Sequence, residues 1–275
     1  MALQRHFSSL AWHGVKTFSA LAPVPAAAKA RRNAVTVFTL HRVLPEACGE
    51  LAVTPAQASQ WLQQIAQGYQ VLSGAEFLQP PTDSKPRAMI TVDDAFSDAH
   101  DQLLPLLQKL RIPVVLFVPT GFIDHGDPPV SFAVDRDKYR PCSWSQLRAM
   151  AGSPWITLGA HSHSHQEVPA QDELSLVTDT EWCLRRFADE GLPRPRLYAY
   201  PRGKFTPGAA KVLGDYFDAA FAGAPHHGLS GELARMAWPR LPLRGSDAGF
   251  WGSRKIRNGY SQEEYWVERI KGMAR

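Results

Sequence analysis

Cysteine is scarce in this 275-residue chain: Cys48, Cys142 and Cys183 are the only three, and no two share a C-x-x-C spacing. An odd, scattered set supplies neither a disulfide framework nor a thiolate zinc site, and it fits a reducing compartment. No uninterrupted apolar run approaches the ~20 residues that a membrane span needs. A secretory apolar core is missing too, because His13, Gly14 and Lys16 interrupt the stretch where it would lie. Acidic residues are absent before Glu46, although Arg5, Lys16, Lys29, Arg31, Arg32 and Arg42 precede it. Those basic residues are few and lack interleaved aromatic platforms, which argues against nucleic acid as a partner. No repeat or linker is present, and the 22 prolines and 20 glycines are scattered between apolar segments, as in a loop-rich compact enzyme.

The cationic arm, residues 1–34, has a pattern of its own. Leu3, Phe7, Leu10, Phe18 and Leu21 recur at three- and four-residue steps, with gaps, as on one helix face. Such a stripe either packs on the domain or lies on an anionic membrane surface. The expectation is a retained arm on a cytoplasmic protein, with peripheral contact at the inner membrane face. The main domain is drawn at 35–248, followed by a basic helical tail at 249–275, where Ser261 and Glu264 stand at capping-box spacing.

With 44% hydrophobic residues the chain can bury a full core. Short apolar runs alternate with helix-like segments, the pattern of parallel strands covered by helices. Strands are read at 35–40, 88–92, "IPVVLFVPT", "WITLGAH", "LYAYP" and "FDAAFAG", the last clear one. Helices are read after Thr54-Pro, from about Ser143 to Ala151, at 173–190 and at 207–213, with one bent or started at Pro105. Six or seven alternations predict an α/β fold close to a (β/α) barrel in a single domain, with its active site at the rim where strands end.

Two motifs sit at predicted strand ends. "ITVDDAFSDAH" places Asp93 and Asp94 after a strand, where neighbouring side chains point to opposite sides and so serve different ends. "GAHSHSHQEV" places His161 and His165 four apart, a spacing that faces two imidazoles the same way if the chain turns into helix. Two histidines and one carboxylate, from Asp93 or Asp94, make an open site for one divalent cation. The other carboxylate is then free to take a proton from water. Alone, an Asp-Asp pair is an ordinary turn and a histidine run an ordinary surface tract; their joint placement favours a metal site.

These residues resemble the polysaccharide deacetylases, the NodB-like carbohydrate esterase family 4. "TVDDAF" is similar to its Thr-Phe-Asp-Asp-Gly motif, "HSHSH" to its His-[Ser/Thr]-x-x-His motif, and "YPRG" at Tyr200 to Gly203 to its third motif. The likeness spans roughly residues 35 to 245 and implies a distorted (β/α)7-type barrel. It also implies Asp93 as general base, Asp94, His161 and His165 as metal ligands, and the Arg202 amide as oxyanion donor, with His163 in the variable middle. Tyr200, Arg202 and Arg240 are the implied substrate-binding residues. The implied cofactor is one divalent ion, zinc first, with cobalt, nickel or manganese as alternatives.

Several positions depart from that pattern. Ala95 replaces a glycine, which is tolerable at negative φ and strained otherwise. Ala199 stands where many members carry an arginine that pairs with the base, a part Arg240 could take. The usual carboxy-terminal Leu-x-His is missing, since His227 is the last histidine. In members that look circularly permuted this acid sits on the first strand, and His41 fits that place; His226 and His227 are the alternatives. Asp98 reads as a helix cap. The expected activity is removal of an N-acetyl group from an amino sugar in a polysaccharide or glycolipid. The rivals are an amidohydrolase on a formylated sugar or cyclic ureide, and a glycan-binding protein without turnover. Trp144, Trp155, Trp238 and Trp251 are candidates for a sugar groove.

Overall fold

The computed structural model describes residues 35–46, 49–80, 85–126, 139–223 and 231–258. The amphipathic arm, Cys48, the His226–His227 pair and the tail beyond Asn258 lie outside the described residues.

Ten strands are present among them: β1 Thr36–Leu40, β2 Arg42–Val43, β3 Ala52–Val53, β4 Gln70–Leu72, β5 Arg87–Val92, β6 Val114–Val118, β7 Ile156–Ala160, β8 Leu197–Ala199, β9 Ala219–Ala222 and β10 Trp238–Pro242. Seven of them close a parallel barrel in the order β1-β10-β9-β8-β7-β6-β5, with β5 pairing back to β1. β4 pairs with the first half of β5 (Gln70 to Leu72 against Arg87 to Met89), while β6 takes Thr91 and Val92. β2 and β3 form a separate two-stranded patch beside the rim.

Continuous apolar strands are what a sheet buried on both faces demands. Alternate residues point in and out: Val37, Met89, Val115, Phe117, Leu197, Ala199 and Phe221 fill the barrel. Phe38, Leu40, Ile90, Val92, Leu116 and Val118 meet the helices outside. The floor is plugged by Phe77, whose ring packs 5.3 Å from Phe221 and 5.1 Å from Trp238. Trp238 therefore lines the end of the barrel away from the strand termini and is no part of a sugar groove.

Helix starts follow local chemistry. Thr54 caps α1 (Pro55–Gly68), accepting from Gln57 N–H, and Glu76 completes the capping box of Ser73 on the short α2 (Gly74–Phe77). Pro105 stands at the start of α3 (Leu104–Leu110), behind one wide turn at Ala99–Leu103. α4 (Thr120–His125) follows β6; Ser143 and Gln146 box α5 (Trp144–Ala151); Asp172 caps α6 (Glu173–Asp189); and Thr206 caps α7 (Pro207–Leu213). The last helix among the described residues, α8 (Phe250–Asn258), lies against α1 and ties in through Tyr69 Oη donating to Ile256 O at 2.7 Å.

The sequence reading stops one strand short of the seven that close the barrel. β10, within "WPRLPL", carries Pro239 and Pro242, which normally demote a strand. It nevertheless joins β9 to β1, with Val37 opposite Arg240 and Phe38 opposite Leu241. Without it the barrel would stay open.

Candidate metal centre and active site

The rim collects His41 after β1, Asp93 and Asp94 after β5, and His161 after β7. The backbone there departs from regular structure. Asp94 (φ 71°) and Ala95 (φ 47°) are consecutive left-handed residues, and Ser162 (φ 66°) and His165 (φ 55°) are left-handed as well. The chain thus leaves extended geometry immediately after Asp93, so the expected strand alternation does not extend to Asp94. The two carboxylates diverge because the turn swings the second one toward β7. Ala95 takes the strained option, costing about 1–2 kcal/mol at a non-glycine residue.

The histidine segment is a loop and not the expected helical turn. Ser162 Oγ accepts the His165 N–H at 2.7 Å, and Asp179 on α6 accepts the His163 and Ser164 N–H groups at 2.9 and 2.7 Å. Asp179 went unnoticed in the sequence because its partners lie in the loop and not in its own helix. His163 turns to Thr120 Oγ1, 2.9 Å away.

His165 Nε2 lies 3.2 Å from Asp94 Oδ1 and His161 Nε2 lies 3.5 Å from the same oxygen. Ligand atoms about 2.1 Å from one tetrahedral ion are roughly 3.4 Å apart, so the set fits a shared cation. The His161 Nδ1–H donates to Ala199 O at 2.8 Å, which fixes the tautomer and leaves Nε2 for an ion. Burial opposes ionisation of Asp94, but hydrogen bonds from His161 and His165 outweigh it and hold the carboxyl well below its usual range. For His161, burial lowers the pKa while Asp94 and Asp93 raise it, and the rise wins. Among the described residues this is the one cluster that could hold a metal.

Asp93 faces elsewhere. Arg240 Nη1 donates to its Oδ1 at 2.6 Å, and His41 Nε2 stands 3.9 Å from Oδ2. Burial pushes the Asp93 carboxyl up, yet the Arg240 charge and the nearby imidazoles bring it below its ordinary value. His41 is lowered, chiefly by burial, against the raising influence of Asp93 and Asp94. Its side chain keeps 25% exposure where those of Asp93 and Arg240 keep 5% and 6%, so it offers the open edge of the group.

The third motif forms a tight turn, Pro201–Gly203, with Arg202 left-handed at φ 54°. A Cβ on Gly203 would fall 2.3 Å from Gly223 N, which is why glycine closes this turn. The Arg202 side chain pairs with Glu167 at 3.2 Å, as Lys204 does at 2.7 Å.

Three expectations are corrected here. Tyr200 is fully buried, its hydroxyl donating to Met236 O at 2.9 Å, so it braces the core and does not meet substrate. Arg240 is 7% exposed, with Nε on Ala222 O and Nη1 on Asp93, so it serves the carboxylate and not the substrate. Asp98 makes no side-chain cap; it binds Arg42 and the Val43 amide.

Residues 81–216 match the family model described as polysaccharide deacetylase. That span holds Asp93, Asp94, His161, His165 and Arg202 but neither His41 nor Arg240. No curated protein sequence matches the chain. Among solved structures, the fold is similar to IcaB from Ammonifex degensii, 20% identical with a TM-score of 0.64 over 82% of this chain and 97% of that one. It is similar to the Streptococcus pyogenes deacetylase PplD, 15% identical with a TM-score of 0.67 over 82% and 98%. The de-N-acetylase from Aggregatibacter actinomycetemcomitans, 17% identical, gives a TM-score of 0.65 over 81% and 99%. Residues 81–216 thus carry a polysaccharide deacetylase domain, of a class of hydrolases acting on carbon–nitrogen amide bonds other than peptide bonds.

Proposed function

We propose that the protein is a metal-dependent N-deacetylase acting on the acetamido group of an amino sugar in a polysaccharide or lipid-linked glycan. The observation that carries this reading is the division of labour between adjacent carboxylates: Asp94 converges with two imidazoles, while Asp93 is held apart by Arg240.

A divalent ion held by Asp94, His161 and His165 would polarise the acyl oxygen and lower the pKa of water there. Zinc is the first candidate, and the same open donor set suits cobalt, nickel or manganese. Asp93 accepts the proton of the attacking water, and Arg240 keeps it ionised and oriented for that task. The Arg202 amide, in its left-handed turn, is the proposed donor to the oxyanion. His41 gives its proton to the amine as the carbon–nitrogen bond breaks, leaving acetate and a free amino sugar. Burial lowers the pKa of His41 against the raising influence of Asp93 and Asp94, which makes its imidazolium a stronger acid.

The test measures metal content and acetate release from N-acetylhexosamine oligomers for wild type, Asp93→Asn and His41→Ala. Metal-loaded Asp93→Asn protein that turns over at the wild-type rate would sink the assignment of the base. A lipid-linked substrate, approached through residues 1–34 at the inner membrane face, extends the proposal; sedimentation of the full chain with anionic vesicles checks it.

A further inference from the structure

Residues 93–98 grip the chain on both sides of His41. Before it, the Asp93 N–H donates to Leu40 O at 3.1 Å. After it, Asp98 accepts from the Val43 N–H at 2.8 Å and from Arg42 Nε and Nη2, each at 2.9 Å. Both members of this ion pair are buried, and the Arg42 guanidinium also lies 4.8 Å from the Phe96 ring centre and 4.9 Å from that of Tyr139.

A pair so far from solvent spends much of its attraction on its own desolvation, so its net effect on stability is small. What it fixes is place. The His41 ring has no hydrogen bond among the described residues, and its approach to Asp93 is 3.9 Å. Its position is set by the backbone that Asp93 and Asp98 hold. One short segment therefore carries the base, a ligand candidate and an anchor for the residue across from the base.

We propose that Asp98 is a positioning residue for the proton donor, acting through Arg42 and the Val43 amide to keep the His41 imidazole opposite Asp93. This rests on the reading of His41 as the acid. Asp98 touches neither the three converging side chains nor Asp93, so its loss acts on proton donation alone.

The test uses Asp98→Asn, which keeps an acceptor for Val43 and removes the charge that holds Arg42. Cobalt(II) titration is expected to give an affinity within about twofold of wild type, and KM for N-acetylhexosamine oligomers is expected to hold. The kcat for the amide falls about tenfold or more, as misplacement of a reacting group does. Turnover of 4-nitrophenyl acetate, whose leaving group needs no proton, stays within about twofold. In a His41→Ala background the same substitution adds almost nothing.

Equal losses on amide and ester, or losses that add to that of His41→Ala, would make Asp98 a structural residue and overturn the proposal. Full amide turnover in His41→Ala would instead remove the acid itself, and the proposal with it. Should Asp98→Asn melt below the assay temperature, the apolar pair Arg42→Met with Asp98→Leu leaves no buried charge. The same selective loss there supports the anchor, and unchanged amide turnover refutes it.

Discussion

The two halves of the site are built by different means. Asp94, His161 and His165 come from loops after β5 and β7, and their convergence depends on left-handed backbone at Asp94, Ala95, Ser162 and His165. His41 and Asp93 directly follow β1 and β5, and Arg240 lies in β10; these three strands are neighbours around the barrel. Their meeting depends on sheet register, with Leu40 opposite Val92 and Val37 opposite Arg240. One half is a matter of loop conformation and the other of barrel closure, so they are expected to fail separately.

The widest separation is expected from Asp93→Asn. Deacetylation should fall by about 10²–10⁴, the usual contribution of a general base, with metal content unchanged. Parallel loss of metal would show that the halves are one unit. Arg240→Met should follow, because removing one partner of a buried pair costs about 3–5 kcal/mol. With the guanidinium gone, the largest influence opposing burial at Asp93 is lost and its pKa rises, so the acid limb of kcat/KM should move to higher pH. Denaturant melts and a pH–rate profile check both outcomes.

His165→Ala should weaken cobalt binding by more than about tenfold while leaving the melting temperature of the metal-free protein near that of wild type. In the intact site, His161 is raised above its ordinary 6.5 by the carboxylates, so protons compete with the cation increasingly as pH falls through neutrality. Cobalt affinity measured from pH 8 to 6 should therefore decline. An affinity flat across that range would contradict the raised imidazole.

The smallest effect is expected from Ala95→Gly. Relief of the left-handed conformation returns about 1–2 kcal/mol. Loss of a buried methyl costs about 0.8 kcal/mol, and the freer unfolded chain costs about 0.5–1 kcal/mol. These nearly cancel, so the melting temperature should barely move. Ala95→Val, with a branched side chain at positive φ and no room in the core, should be clearly destabilised.

How much of this was legible follows the same division. "TVDDAF" and "HSHSH" are each contiguous, so the sequence displayed the converging set even though the loop around His165 is not helical. The proton-handling half spans residues 41 to 240, and no local pattern announces a register. Arg240 was noticed as a substitute partner for the base, yet its strand was missed because Pro239 and Pro242 hide the β signal. Asp98 misled for a related reason: a cap is a local possibility, whereas Arg42 lies on another strand and wins by burial. Tyr200 was placed by its motif, which says nothing about which way a ring points at the top of β8.

Closure by β10 has a consequence for the order in which the protein comes alive. The ribosome releases Asp94, His161 and His165 well before Trp238, so these side chains emerge ahead of the strand that joins β9 to β1. Only when the last stave slides home does Arg240 reach Asp93, so the carboxylate gains its partner in the same step that shuts the wall.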